Sequence, residues 1–252
     1  MSGAVVVVGL GPGPGHWCTP EVEDALAGAT DLVGYAPYLA RVPARPGLDR
    51  HPSDNRVELD RARHAYELAA KGRQVAVVSG GDPGIFAMAA AMFEALETEP
   101  RFGSVPIRVL PGISAMQAAA ARLGAPLGHD FCVLSLSDNL KPWMVVLRRL
   151  TAVADGDFVL AIYNPASTAR PDRLGEAFDH LRGLKAGSTP LAFARAVGRP
   201  DERLVLTTLA EADPSLADMA TLVVIGSSQT RYVEDATGRR WMVTPRSYGA
   251  ER

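Results

Sequence analysis

Short runs of β-branched and aliphatic residues alternate along this chain with longer stretches whose apolar positions recur at helical spacing. In the first half the strand candidates are residues 4–10, 32–35, 74–79 and 106–110, and the helical stretches fall near 20–29, 56–71 and 85–98. Such alternation is the pattern of strands joined by crossover helices in a largely parallel sheet. Thr19-Pro20-Glu21 predicts a helix start: a hydroxyl cap, a proline where the missing N–H costs nothing, and an acid facing the positive end of the helix dipole. Residues 42–55 hold Pro43, Pro46 and Pro52 with few large apolar groups, and predict a loop across the surface.

The second half repeats the alternation, with strands near 131–135, 158–163, 191–194, 204–208 and 222–225. Between residues 194 and 204 the turn-rich Gly198-Arg199-Pro200-Asp201 leaves no room for a crossover helix, which predicts an antiparallel pair and so a mixed second sheet. A boundary near residues 111–115 gives two α/β domains, 1–112 with a mostly parallel sheet and 113–252 with a mixed one, each of ordinary domain size. Residues 228–252 carry five arginines and read either as a peripheral strand around Trp241-Met242-Val243 or as a partly disordered tail.

Composition narrows the function without naming it. With 47% hydrophobic residues, 21% charged and a net charge of −2, the chain has too much apolar matter for disorder and no basic excess for a partner held by phosphate neutralisation, so nucleic acid is not expected. No stretch approaches the roughly 18 apolar residues that cross a bilayer, and the start lacks the flank of a signal peptide, so the expectation is a cytoplasmic protein off the membrane. Cys18 and Cys132 lie far apart and match no zinc spacing. The five histidines, at 16, 51, 64, 129 and 180, show no ligand spacing either, and no metal is expected.

Three glycine-bearing loops follow strands. Gly9-Leu10-Gly11-Pro12-Gly13-Pro14-Gly15 fails the dinucleotide fingerprint, because Pro14 stands where its third glycine belongs, and it lacks the Gly-Lys-Ser/Thr of a phosphate loop. Alone it reads equally as a tight turn needing positive φ. In Ser79-Gly80-Gly81-Asp82-Pro83-Gly84-Ile85-Phe86 the carboxylate either contacts a ligand or caps the following helix, and in Leu110-Pro111-Gly112-Ile113-Ser114-Ala115 the serine has the same two readings. All three sit at carboxyl ends of strands, where open α/β sheets bind ligands, and their convergence points to a bound organic molecule.

The order Gly-x-Gly-Pro-Gly, Gly-Gly-Asp-Pro-Gly-Ile-Phe, Pro-Gly-Ile-Ser-Ala resembles the tetrapyrrole methylases, S-adenosylmethionine enzymes that methylate corrinoid and sirohaem precursors. Gly34-Tyr35-Ala36-Pro37-Tyr38 and residues 129–143 and 163–171 resemble the branch of that family that methylates C17 of precorrin-3B during cobalamin synthesis, with contraction of the ring to precorrin-4. The likeness spans about residues 4–230. One departure is Pro14, where relatives carry Asp or Asn.

The resemblance implies a homodimer of two-domain subunits with S-adenosylmethionine held between the domains. It places cofactor contacts on Pro12, Gly80, Gly81, Asp82, Ile85, Ser114 and Ala115, with Asn164 and Val197 added from the second domain. Its substrate is a reduced tetrapyrrole rich in carboxylates, and Tyr35, Tyr38, Arg41, Ser137, Lys141 and Arg170 are the candidate groups around it, with Arg41 and Lys141 alternatively solvated surface charges and Tyr35 a core ring with its hydroxyl at the rim. Asp138 either moves a proton during ring contraction or caps the helix starting near Pro142. Methyl transfer from a sulfonium asks the protein mainly to orient two ligands and exclude water, which fits the absence of a nucleophile elbow. Two alternatives remain: the cobalt-containing ring as substrate, and a protein that binds a nucleotide or tetrapyrrole without reacting it.

Overall fold

The four consecutive valines of the first run set the layout of the amino-terminal unit. In the computed structural model, which describes residues 3–54, 57–167 and 169–247, β1 (Ala4–Gly9) lies near the centre of a five-stranded sheet with β2 (Asp31–Tyr35), β3 (Asp49–Ser53), β4 (Gln74–Ser79) and β5 (Ile107–Leu110). The order is β3-β2-β4-β1-β5 and every pairing is parallel. The connections carry α1 (Pro20–Gly28), the single turn α2 (Ala36–Leu39), α3 (Glu58–Ala70) and α4 (Met88–Thr98).

Successive strand residues face opposite sides, so Val5, Val7, Val75 and Val77 pack with Ala65, Tyr66 and Met92 of α3 and α4, while Val8, Ala76 and Val78 pack with Val22 of α1 and Leu39 of α2. Each such aliphatic side chain, once buried, stabilises by roughly 1.5–3 kcal/mol, enough for both faces of the sheet to demand a helical cover. Helix α1 starts as its sequence predicts: Thr19 Oγ1 accepts from the Val22 N–H at 3.3 Å and Pro20 is the first helical residue.

The stretch 42–55 departs from the expectation of a loop, because residues 49–53 form the edge strand β3. Its polar side chains are held from the side: His51 Nε2 lies 2.9 Å from Asp31 Oδ1, and Asp49 pairs with Arg73, which also pairs with Asp31. Asp31 is 1% exposed and also accepts from Thr30 Oγ1 at 2.7 Å, and His64 Nε2 lies 3.0 Å from His51 Nδ1. Asn55, the last residue of that stretch, lies outside the described residues.

The chain divides into two compact units, Met1–Ala115 and Met116–Arg252. The second contains most of α5 (Ala115–Leu123), then β6 (Gly124–Ala125), β7 (Phe131–Ser135), α6 (Trp143–Asp155), β8 (Val159–Tyr163), α7 (Arg173–Arg182), β9 (Pro190–Arg195), β10 (Arg203–Thr208), β11 (Thr221–Ile225), β12 (Arg231–Glu234) and β13 (Arg240–Val243). Its main sheet runs β10-β9-β11-β8-β7 and is mixed: β7 and β8 are parallel, while β11 is antiparallel to β8 and β9, and β10 to β9. Leu150 of α6 and Phe178 and Leu181 of α7 cover Leu160, Ile162, Phe193, Val223 and Ile225 on one face.

Strands β12, β13 and β6 form a small third sheet, so the peripheral-strand reading holds around Trp241, and residues 248–252 lie outside the described residues. Asp235 closes the β12–β13 turn by accepting from Thr237 Oγ1 at 2.6 Å and Trp241 Nε1 at 2.8 Å.

Candidate functional site

The loops after β1, β4 and β5 lie against one another, as neighbouring parallel strands require. Gly11 and Gly81 exchange both backbone hydrogen bonds, Gly11 N–H to Gly81 O at 3.2 Å and Gly81 N–H to Gly11 O at 3.0 Å, with φ of +66° and +73° that favour glycine. Asp82 ties in the third loop: Oδ2 accepts from the Gly112 N–H at 3.0 Å and Oδ1 from the Gly84 N–H at 2.8 Å. Asp82 therefore does not cap the next helix, since α4 begins six residues later at Met88, whose N–H is met by Ser79 Oγ at 3.3 Å.

The glycines here do two different things. A Cβ on Gly112 would lie 2.5 Å from Gly81 O and 2.8 Å from Gly9 O, so at Gly112 the absent side chain is what lets the loops close together. A Cβ on Gly81 would make only ordinary contacts, 3.8 to 3.9 Å from the backbone of residues 113–115, so there glycine serves the backbone conformation. Ser114 is buried, and Phe86, at φ +52° and 54% exposed, stores backbone strain in the second loop.

The segment 35–41 supports these loops. The Tyr38 ring covers Gly80, where a Cβ would lie 2.7 Å from Cε1, and Tyr35 meets Tyr38 edge-on at 5.4 Å. Arg41 reaches back to the first loop: Nη1 donates to Gly11 O, and Nη2 to Leu10 O and Gly13 O, each at 2.8 Å.

In the second unit the carboxyl ends of β7, β8 and β9 share one sheet edge. Asn164, just past β8 with φ +50°, donates from Nδ2 to Ser135 Oγ at 2.9 Å, and the same hydroxyl accepts the Ser137 N–H at 3.2 Å. Val197 is buried past β9, between Ala196 at φ +49° and Gly198 at φ +79°. Two non-glycine residues in the left-handed region at one sheet edge mark a locally strained, tightly determined site.

Asp138 does not cap α6, whose cap position is Pro142 without a side-chain bond. It accepts instead from Arg173 Nε at 2.9 Å, with Arg170 Nε 3.7 Å from its other oxygen, and Arg173 stacks over the Trp143 ring at 4.7 Å. Sequence reading missed Arg173, whose one visible signal is its place at the start of α7. Arg170 Nη1 donates to Leu136 O at 3.1 Å and Lys141 Nζ to Ser137 O at 2.7 Å. Burial, then the nearby Arg149 charge, with a smaller push from Arg170, lowers the Lys141 ammonium below its usual range against the opposing pull of Asp138. Among the described residues, Trp143 Nε1, Ser167 Oγ and Arg170 Nε are buried with no hydrogen-bond partner. Residue 168 of this segment lies outside the described residues.

Residues 4–213 match the family model of the Tetrapyrrole (Corrin/Porphyrin) Methylases. The chain belongs to the tetrapyrrole methylases. This tetrapyrrole methylase is 54% identical over 249 residues, 98% of each chain, to a Sinorhizobium protein named Precorrin-3B C(17)-methyltransferase. It is 50% identical to the Mycobacterium tuberculosis Cobalamin biosynthesis protein CobIJ, matching with 98% of its own length and spanning 49% of that protein. Among solved structures, the methyltransferase CobJ superposes with a TM-score of 0.93 at 53% identity, covering 97% of this chain and 100% of that one.

Within the tetrapyrrole methylase, Pro12, Gly80, Gly81, Asp82, Ile85, Ser114 and Ala115 fall on the interlocked loops of the first unit. Asn164, Val197, Ser137, Asp138, Lys141 and Arg170 fall on or beside the strand ends of the second unit's main sheet. Among the described residues, no three His, Cys, Asp or Glu side chains gather as metal ligands, and no helix is long and apolar enough to cross a membrane.

Proposed function

We propose that this tetrapyrrole methylase transfers a methyl group from S-adenosylmethionine to C17 of precorrin-3B, with contraction of the macrocycle to precorrin-4. The observation that carries the reading is the interlocked glycine rim at the carboxyl ends of β1, β4 and β5, in a chain that matches a protein of that name at 54% identity over 98% of both lengths. The rim suits the donor: Gly81 brings the second loop to ordinary contact with the backbone of Ile113, Ser114 and Ala115, and Pro12 and Ile85 supply apolar surface for an adenosyl group.

When bound, the sulfonium supplies a methyl group already activated for in-line displacement. The chain's own residues then orient the partners and exclude water. Lys141 and Arg170 meet carboxylates of the macrocycle, with Ser137 and Tyr35 as hydroxyl contacts, and Asp138 fixes the guanidinium groups of Arg170 and Arg173. The same reading makes the protein a cytoplasmic homodimer, which sedimentation and cell fractionation test.

Purified protein given S-adenosylmethionine and precorrin-3B should yield S-adenosylhomocysteine and a product heavier by one methylene. Turnover of the cobalt-containing ring alone would move the assignment to that substrate. Tight donor binding with no turnover of either ring would make it a binding protein.

A further inference from the structure

We infer that Arg41 is a positioning residue for the methyl donor, bracing the first glycine loop in its binding shape; this rests on the cofactor reading above. The loop it braces, residues 9–15, has four glycines, and glycine loses the most backbone freedom on ordering, so the loop needs an external hold. Its backbone ties include Leu10 N–H to Ser79 O at 2.9 Å, the Gly11–Gly81 exchange, Trp17 N–H to Pro14 O at 3.0 Å and Cys18 N–H to Gly15 O at 2.8 Å. Arg41 adds three more from 28 to 31 residues away, gathering the carbonyls of Leu10, Gly11 and Gly13 onto one guanidinium at 2.8 Å each.

Bonds from a cation to carbonyls are stronger than neutral ones, and a planar fork reaches several acceptors that a single ammonium cannot. Arg41 is itself set by the turn after α2, where its N–H donates to Tyr38 O at 3.0 Å. Tyr38, on the same turn, lies over Gly80 of the second loop, so one short segment braces two loops of the rim. Three of the five N–H donors of the Arg41 guanidinium are committed to these carbonyls, so drawing those donors to a substrate carboxylate would loosen the loop that the donor requires.

The test is Arg41→Ala, with titration calorimetry against S-adenosylhomocysteine and steady-state kinetics for both substrates. Bracing predicts donor affinity weaker by about tenfold or more and kcat/KM lower by up to about 100-fold, as for misplacement of a site by about 1 Å. The tetrapyrrole KM stays unchanged, and guanidinium ion at sub-denaturing concentration restores part of the loss while an alkylammonium does not. Where Arg41→Ala does not fold, Arg41→Lys carries the same test, with a smaller loss on the donor side only. Unchanged donor affinity with a raised tetrapyrrole KM would overturn the proposal and return Arg41 to the substrate. Wild-type protein that binds no S-adenosylhomocysteine would remove the cofactor reading, and the proposal with it, before any variant is made.

Discussion

Replacing Gly112 by alanine measures how closely the three loops are locked. The new Cβ would lie 2.5 Å from Gly81 O, short of the 3.4 Å of ordinary contact by about 0.9 Å, and 2.8 Å from Gly9 O. Both neighbours are backbone atoms that no rotamer change can move aside, so the loops themselves must part. Overpacking of this kind costs about 1–3 kcal/mol, and the roughly 0.4–1 kcal/mol that alanine recovers from the unfolded chain offsets only part of it. For a chain of this length, each net kcal/mol lowers the melting midpoint by about 2–4 °C. A displacement near 1 Å at the donor rim should also cut kcat/KM by up to about 100-fold. Calorimetric melting and titration with S-adenosylhomocysteine read the two effects separately. Gly15→Ala, on the first loop with nothing within 4 Å of its Cβ, is the matched control and should leave binding unchanged and the melting midpoint unchanged or slightly raised. A Gly112→Ala protein that melts and binds like wild type, or a Gly15→Ala protein equally damaged, would refute the interlock.

Three further outcomes are expected. Thr19→Ala should destabilise by about 1 kcal/mol through loss of the α1 cap, read as a shift in a denaturant melt. Asp138→Asn should raise the tetrapyrrole KM by loosening Arg170 and Arg173 while the kcat pH profile keeps both limbs; loss of one limb would make Asp138 a proton carrier instead. Stability should fall in two stages on acidification. Burial, then the His51 charge, holds His64 below its usual range, so its contribution is complete above about pH 6.5 and lost as pH falls. Burial pushes Asp31 up, but hydrogen bonds from Arg73, Thr30 and His51 outweigh it and hold the carboxyl low, so its contribution is complete above about pH 3.9 and lost below. His64→Gln should remove the first stage alone, and a wild-type melting midpoint flat from pH 7 to pH 5 would contradict the His64 assignment.

The parallel sheet was legible because Val5–Val8 and Val75-Ala76-Val77-Val78 are unbroken apolar runs rich in valine, the mark of strands buried on both faces. Strand β3 was not, because Asp-Arg-His-Pro-Ser has no apolar period and is held by one neighbouring strand and a side-chain network spread over residues 31–73. Helix α2, a single turn, is too short for any periodicity to register. The loops were legible as glycine clusters at strand ends, but their partners were not: spacing says nothing about a guanidinium reaching back some 30 residues to three carbonyls. Asp82 was read as a possible cap because it precedes a helix, yet Pro83, Gly84 and the left-handed Phe86 delay that helix to Met88.

The polar edge strand carries a consequence for how the first sheet ends. Pro52 withholds a donor that an added strand would need, and Asp49, Arg50 and His51 are occupied by Arg73, by the carbonyls of Leu39 and Val42, and by Asp31. Strand addition is disfavoured on that margin by a missing donor and by charged side chains rather than by hydrophobic cover.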